Sequence, residues 1–227
     1  MQNSQLFDVW PERYDKWFQT PMGQMVLSLE AELILSLVAP RHGDLILDAG
    51  CGTGLFTQFV INQGARIVGL DISLPMLRAA KHKFHRPLFT PLVADIQKLP
   101  FADNIFDKTI SITAIEFIQD GKKVLSELMR ITRPEGLVVV ATLNRLSTWA
   151  ERRRKEAQRN PASIFRQAIF RSPPELLSLA PIAGSVKTAI FFDREDPPSM
   201  ARQTEAQGRA GRSMTGAFVA ACWQKPA

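Results

Sequence analysis

The run Asp48-Ala49-Gly50-Cys51-Gly52-Thr53-Gly54 constrains this chain more than any other stretch. It follows Leu45–Ala49 (LILDA), a short apolar run that fits a buried parallel strand, and precedes a helical pattern over residues 54–63 closed by Gly64. Glycines between a strand and a helix let the chain turn tightly and bring backbone N–H groups against a ligand. A dinucleotide loop wants Gly-x-Gly-x-x-Gly, but this chain has Leu55 where the last glycine belongs. The loop therefore suits a ligand without a diphosphate.

The alternation that starts here continues. Residues 66–70, 92–94, 108–112 and 137–142 read as further strands. Residues 74–84 and a stretch capped by Asp120, with Val124, Leu125, Leu128 and Ile131 on one face, read as the intervening helices. Such alternation implies a parallel sheet with helices on both faces. Upstream, Met22, Val26, Leu29, Leu33 and Leu37 mark one helix face that ends before Pro40. Downstream, residues 144–171 look helical and basic, and Ser172 with Glu175 forms a capping box ahead of a short helix. Residues 186–192 and 217–223 read as late strands, and the Pro-, Gly- and charge-rich stretch 193–215 between them as a mobile loop.

With 227 residues, 45% hydrophobic and 22% charged, the chain suits one domain with one sizeable core. No apolar run approaches the roughly 18 uncharged residues of a membrane span. The N-terminus lacks a signal-peptide pattern, so a cytoplasmic location is expected. Cys51 and Cys222 make no disulfide framework. Together with His42, His82 and His85 they show no metal spacing, so no metal is expected. The net charge of +6 permits an anionic partner without establishing one. Much of it lies in Arg152-Arg153-Arg154 and its neighbours, a run that reads first as a solvated helix face.

Two acids complete the pattern. Asp71 ends the second strand, where an acid can accept two hydrogen bonds from a ribose diol, and Asp95 ends the third. Either alone could be a helix cap. In order, at the carboxyl ends of successive strands, they mark the edge where open α/β sheets bind ligands.

These residues resemble the class I S-adenosylmethionine (SAM)-dependent methyltransferases, in the small-molecule branch that includes the ubiquinone/menaquinone-type enzymes. LILDAGCGTG is similar to the first motif of that family, IVGLDIS to the second, ADIQKLPFADNIFD to the third and fourth, and ITRPEG to the Pro-Gly-Gly region. The resemblance implies an α/β Rossmann-like fold: a mostly parallel seven-stranded sheet with helices on both faces and an antiparallel last strand. It implies SAM as cofactor, leaving as S-adenosylhomocysteine, and methyl transfer by in-line displacement to a small-molecule acceptor.

By position, Asp48, Ala49, Gly50, Cys51, Gly52 and Gly54 would pass under the methionine part, Cys51 as a small filler rather than a nucleophile. Asp71 would hold the ribose, with Ile72 and Met76 nearby. Asp95 would take the adenine amino group and Ile96 its ring, with Thr113 near the methionine end. Relatives carry Leu-His-His where this chain has Ile115-Glu116-Phe117, which makes Glu116 the candidate base. Tyr14, the sole tyrosine, is a candidate cofactor contact and catalytic residue, while Trp17 and Phe18 fit either a lid or core packing.

The resulting expectation is one methyltransferase domain over residues 1–227. Residues 1–40 form its N-terminal cap and helix, 41–143 the cofactor-binding core, and 144–227 the substrate cover and last strands. It would act as a monomer or homodimer on a small molecule, with nucleic acid not its expected partner. The alternatives are methylation of RNA or protein, which the basic run would favour, and SAM binding without catalysis.

Overall fold

The computed structural model describes residues 4–84 and 87–227, so His85 lies outside the described residues. Seven strands form one sheet: β1 (Leu45–Ala49), β2 (Arg66–Asp71), β3 (Phe89–Val93), β4 (Phe106–Ile112), β5 (Thr132–Leu143), β6 (Gly184–Ala189) and β7 (Phe218–Gln224). Their spatial order is β3-β2-β1-β4-β5-β7-β6. β7 pairs antiparallel with both β5 and β6, while β3, β2, β1, β4 and β5 pair in parallel. The order reverses beside β1, where β2 lies on one side and β4 on the other, and this is the crevice where such sheets bind ligands.

Nine α-helices surround the sheet among the described residues: α1 (Ser4–Phe7), α2 (Pro11–Phe18), α3 (Pro21–Val38), α4 (Leu55–Ile61), α5 (Leu74–Lys83), α6 (Gly121–Ile131), α7 (Thr148–Arg159), α8 (Pro173–Leu177) and α9 (Pro198–Ala210). Strand residues alternate between two cores, as the two-residue period of a pleated strand requires. Ile46, Val139 and Ala220 join a cluster with α3, α4 and Trp149 of α7. Leu47, Val138, Val140 and Ala221 join a cluster on the other face, under Val124, Leu125, Leu128 and Ile131 of α6 and Leu176 of α8.

Several sequence expectations need correction. The stretch 193–215 is no loop: it holds α9, anchored by buried Glu205, which accepts hydrogen bonds from the N–H groups of Ile190 (2.9 Å) and Phe191 (3.0 Å). Those bonds, together with the left-handed φ of 65° at Ile190, end β6 at Ala189 rather than at Phe192. Of the expected helix over 144–171, only α7 and a 3-10 turn at Ile164–Arg166 form. The chain leaves the helix at Asn160, ahead of Pro161, because a residue before proline disfavours the α region. β3 begins earlier than expected, at Phe89, and tolerates Pro91 because it is an edge strand. The capping box of α8 forms as expected. By length and composition alone α3, with 18 residues and a mean hydropathy of 1.3, is apolar enough to cross a membrane, though it is not the uncharged run whose absence the sequence showed. It includes Glu30 and Glu32 and packs against β5, β6 and β7.

β5 runs through Pro134 and Gly136 by way of a bulge: Phe106 pairs with Thr132, and the next pair is Lys108 with Leu137. Within it Glu135 takes φ 62°, a left-handed backbone that costs an L-residue about 1–2 kcal/mol. The resembled family places a glycine there. Glu135→Gly is expected to raise stability by about 0.5–1 kcal/mol after its own unfolded-state entropy, read as a higher urea midpoint with unchanged slope.

Candidate functional site

β1 delivers Asp48, and the glycine loop then turns back under the end of β2. The N–H groups of Gly50 and Cys51 both donate to the Leu70 carbonyl, at 2.6 and 2.9 Å. Gly50 has φ 81°, and a Cβ there would lie 2.4 Å from the Ala114 methyl, so only glycine fits. Gly52 has φ 53°, and a Cβ on it would meet nothing within 4 Å. Its bare backbone faces the open cleft, as a cradle for a ligand does.

Asp71 organises this loop. One carboxylate oxygen accepts from Gly52 N–H and the other from Ser73 N–H, each at 2.9 Å. Each oxygen keeps a lone pair for a ligand. Burial raises the Asp71 pKa, against the pull of those backbone donors. Asp48 is 2% exposed, accepts from the Thr57 hydroxyl at 2.5 Å, and is pushed up to about 7 by burial and the nearby charge of Asp71. Burial, with Asp48 and Asp71 alongside, holds the Cys51 thiol well above its ordinary value, which disfavours the thiolate a nucleophile needs.

A cavity of about 830 Å³ opens from this edge. Of the sequence-predicted residues, Tyr14, Asp48, Gly50, Cys51, Gly52, Asp71, Ile72, Met76, Asp95, Ile96, Thr113 and Glu116 line it. Ala49, fully buried in β1, and Gly54, at the N-cap of α4, are not on its wall. At one end, exposed Asp95 accepts from the Gln97 N–H at 2.8 Å, beside buried Ile96 and Met76. At the other end, β4 stops at Thr113, whose φ of 50° is a strained non-glycine conformation of the kind found where a site fixes the backbone. Tyr14 of α2 is hydrogen-bonded to Thr113, and burial pushes its phenol well up.

Glu116 sits in a 3-10 turn, Ile115–Phe117, directly after. It is 1% exposed and accepts from the Thr142 hydroxyl of β5 at 3.0 Å. Burial raises it to about 7, opposed by that hydrogen bond and by Arg171 and Arg153. Arg171 fixes the turn by donating to the carbonyls of Ile115 (3.0 Å) and Ile118 (3.3 Å).

The N-terminal helices roof the cavity. Asp8 accepts from the Ser73 hydroxyl at 2.7 Å. Asp15 accepts from the Thr53 hydroxyl and the Lys83 ammonium, each at 2.6 Å. Trp17 meets Trp149 edge to face at 6.5 Å. Trp17 and Phe18 therefore do both jobs the sequence left open, lining the cavity while packing on the core.

Sequence reasoning missed several charged residues in this wall, of which Glu30 and Arg153 are the most buried. Glu30, on α3, is 6% exposed, and burial pushes it up to about 8. Its signal was legible: it falls between Val26 and Leu33 on the apolar helix face, where a carboxylate is out of place. Arg153, the middle of the basic run, faces the cavity instead of solvent, stacked 5.3 Å from the ring centres of both Trp149 and Phe165.

These raised acids set a pH dependence. Glu30 and Glu116 hold their protons more tightly in the folded than in the unfolded chain, so their stabilising contribution is present at low pH and is lost as pH rises from about 4.5 through about 8. In the ligand-free protein Glu30→Gln is expected to leave stability near pH 5 almost unchanged and to raise it by about 2 kcal/mol above pH 8. Urea unfolding at the two pH values measures the difference.

The parallel sheet that reverses beside β1, with its glycine loop and the acid ending β2, is the fold of the class I, SAM-dependent methyltransferases. Residues 47–140 match the family model described as a methyltransferase domain. In sequence, the chain is 38% identical over 123 residues to a malonyl-[acyl-carrier protein] O-methyltransferase of Hamiltonella defensa, covering 53% of this chain and 47% of that protein. It is 36% identical over 109 residues to a demethylmenaquinone methyltransferase of Renibacterium salmoninarum, covering 48% and 45%. The chain thus spans about half the length of the curated relatives it matches. In structure, it is similar to a SAM-dependent methyltransferase from Thermotoga maritima, with TM-score 0.76 and 21% identity over 98% of this chain and 99% of that one.

The structural neighbour of this fold is SAM-dependent. The residues present fit SAM: a carboxylate with spare lone pairs at the end of β2, apolar Ile72, Ile96 and Met76 beside it, and an unfilled glycine cradle at Gly52.

Proposed function

We propose that this protein transfers the methyl group of SAM to a small-molecule acceptor by in-line displacement. The observation that carries this reading is one continuous cavity running from Asp71 and Asp95 to Glu116 and Trp149, with room for a cofactor and a modest acceptor under one roof. When bound, the cofactor supplies a methyl on a sulfonium whose leaving group is neutral.

The chain's own work is then to bind, orient and exclude water. Asp71 accepts from the ribose hydroxyls, Ile72, Met76 and Ile96 flank the adenine, and Asp95 accepts from its amino group. Asp48, Gly50, Cys51 and Gly52 hold the methionine end, with Ala49 and Gly54 shaping the loop from behind. Tyr14 and Thr113 border the transfer point, and Glu116 accepts a proton from the acceptor. Holding acceptor and methyl in line contributes roughly 7–11 kcal/mol, which the helical roof serves by fixing geometry and excluding water.

In this reading residues 1–40 are a cap, 41–143 the cofactor core and 144–227 the acceptor cover with the last strands, all one domain acting in the cytoplasm. The relatives support a small acceptor: one is named for a malonyl group on a carrier protein, another for demethylmenaquinone. The basic run gives little support to an RNA acceptor, because Arg153 turns inward while Arg152 pairs with Glu195 and Lys155 with Glu151.

The test is transfer from methyl-labelled SAM into a cell extract separated into small molecules, RNA and protein. Label among the small molecules is expected. Label confined to RNA or protein, or SAM binding without transfer, would overturn the reading.

A further inference from the structure

Arg153 of α7 is the one half-buried cation on the cavity wall among the described residues, and it spends none of its donors on the protein. Its guanidinium makes no hydrogen bond and no ion pair among the described residues, and its Nη1 is shut away from solvent without a partner. The rings of Trp149 and Phe165 hold it instead, each centred 5.3 Å from the guanidinium carbon. Ring contacts hold a cation by its charge and leave the N–H fork unused. A charged donor taken out of water without an acceptor is costly, so a side chain kept in this state is set up for an acceptor that arrives from outside.

The other charges of the wall do not fill that place. Arg13, Arg152 and Arg194 line the same cavity but are exposed, and Arg152 is paired with Glu195. Glu156 is exposed as well. Glu116 accepts from Thr142 and faces Arg171. Glu30, raised by burial to about 8, keeps its proton at neutral pH, so near Arg153 it is a further hydrogen-bond donor rather than a counter-ion. The lining aspartates, Asp48, Asp71 and Asp95, stand along the edge formed by the ends of β1, β2 and β3.

We propose that Arg153 anchors a carboxylate carried by the methyl acceptor, so that the acceptor is a small apolar acid, held by its acid group and methylated at another atom. The inference rests on the methyl-transfer reading above and deepens it. A guanidinium presents paired N–H donors in one plane, which matches the two oxygens of a carboxylate, and it is more weakly hydrated than an ammonium, which suits a site closed to water. Trp17, Trp149 and Phe165 give the apolar body of such an acid matching walls.

Anchor and reacting atom are separate for a chemical reason. Oxygens that accept from Arg153 have their lone pairs engaged, and a methyl ester would lose the charge that the anchor holds. Glu116, buried in the turn after β4, is placed to take a proton, and an ionised carboxylate has none to give. In the step, the acceptor's nucleophilic atom gives its proton to the Glu116 carboxylate. The electron pair so freed forms the bond to the methyl carbon, and the pair of the broken carbon–sulfur bond stays on sulfur as a thioether.

The test has two parts. The whole protein, free and saturated with S-adenosylhomocysteine, is titrated by calorimetry with 3-phenylpropanoate, 3-phenylpropanamide and 3-phenylpropan-1-amine. The acid is expected to bind about tenfold or more tightly than the amide, and the amine most weakly. Arg153→Gln should lower the acid's affinity about tenfold to a hundredfold and leave the amide's unchanged. Arg153→Lys, which keeps the charge but not the planar fork, should fall between. In the second part, small molecules labelled from methyl-labelled SAM in a cell extract are passed over an anion exchanger. The labelled product is expected to be retained at neutral pH and to keep its label through mild alkali, which cleaves methyl esters. An acid that binds no better than the amide or the amine, or an Arg153→Gln variant that weakens acid and amide alike, would make Arg153 a packing residue and overturn the proposal. A labelled small molecule that is uncharged, or that loses its label to alkali, would overturn it too. Failure to bind S-adenosylhomocysteine, with the Arg153-dependent preference for the acid intact in the free protein, would count against the transfer reading alone and leave the acid site supported.

Discussion

Asp71→Ala is expected to lower the affinity for S-adenosylhomocysteine by about 10²–10³-fold. Two losses combine. The ribose hydroxyls lose a charged acceptor, and hydrogen bonds to charged groups are worth about 1.5–3 kcal/mol. The glycine loop loses its organiser as well, because the same carboxylate accepts from Gly52 and Ser73 N–H. The second loss separates this residue from a simple ligand contact. Asp71→Asn keeps one carbonyl oxygen for a backbone donor and should fall between wild type and alanine. Calorimetry gives the affinities and urea unfolding the loop's share of the cost. Unchanged affinity in Asp71→Ala would remove Asp71 from the cofactor site.

The second large effect is on turnover. Glu116→Gln should reduce the transfer rate by about 10²–10³-fold, the usual worth of a positioned general base, while leaving S-adenosylhomocysteine affinity unchanged. Burial pushes Glu116 up to about 7, so the wild-type rate should climb through neutral pH as the carboxyl loses its proton, and the variant should lose that limb. The apparent value belongs to the coupled Glu30–Glu116 pair rather than to one residue. Full activity in Glu116→Gln would reduce it to a buried structural partner of Thr142.

What could be read in advance divides along physical lines. The glycine-loop edge of the cavity was legible because it is local: strand, glycine turn and helix follow one another between Leu45 and Ile61, and Asp71 ends its own strand. The end of the cavity around Glu116 and Trp149 was not, because it is assembled from segments far apart in sequence. Arg153 looks like a solvated residue within ERRRKEAQR but is half-buried against the rings of Trp149 and Phe165. Glu30 was passed over although its signal was there, a carboxylate between Val26 and Leu33 on the apolar face of α3. α9 was missed because its segment is rich in polar and charged residues and only Ala201 and Glu205 are buried, too little apolar pattern to reveal a helix. The second role of Asp71, tying down the glycine loop, depends on a backbone approach that no spacing encodes.

The most direct test of the whole account is a crystal structure with S-adenosylhomocysteine bound. The account predicts the ribose diol on Asp71, adenine between Ile72 and Ile96 beside Asp95, and the sulfur facing Tyr14, Thr113 and Glu116. A ligand seated with its sulfur away from Glu116, or bound elsewhere than the Asp71 edge, would contradict it.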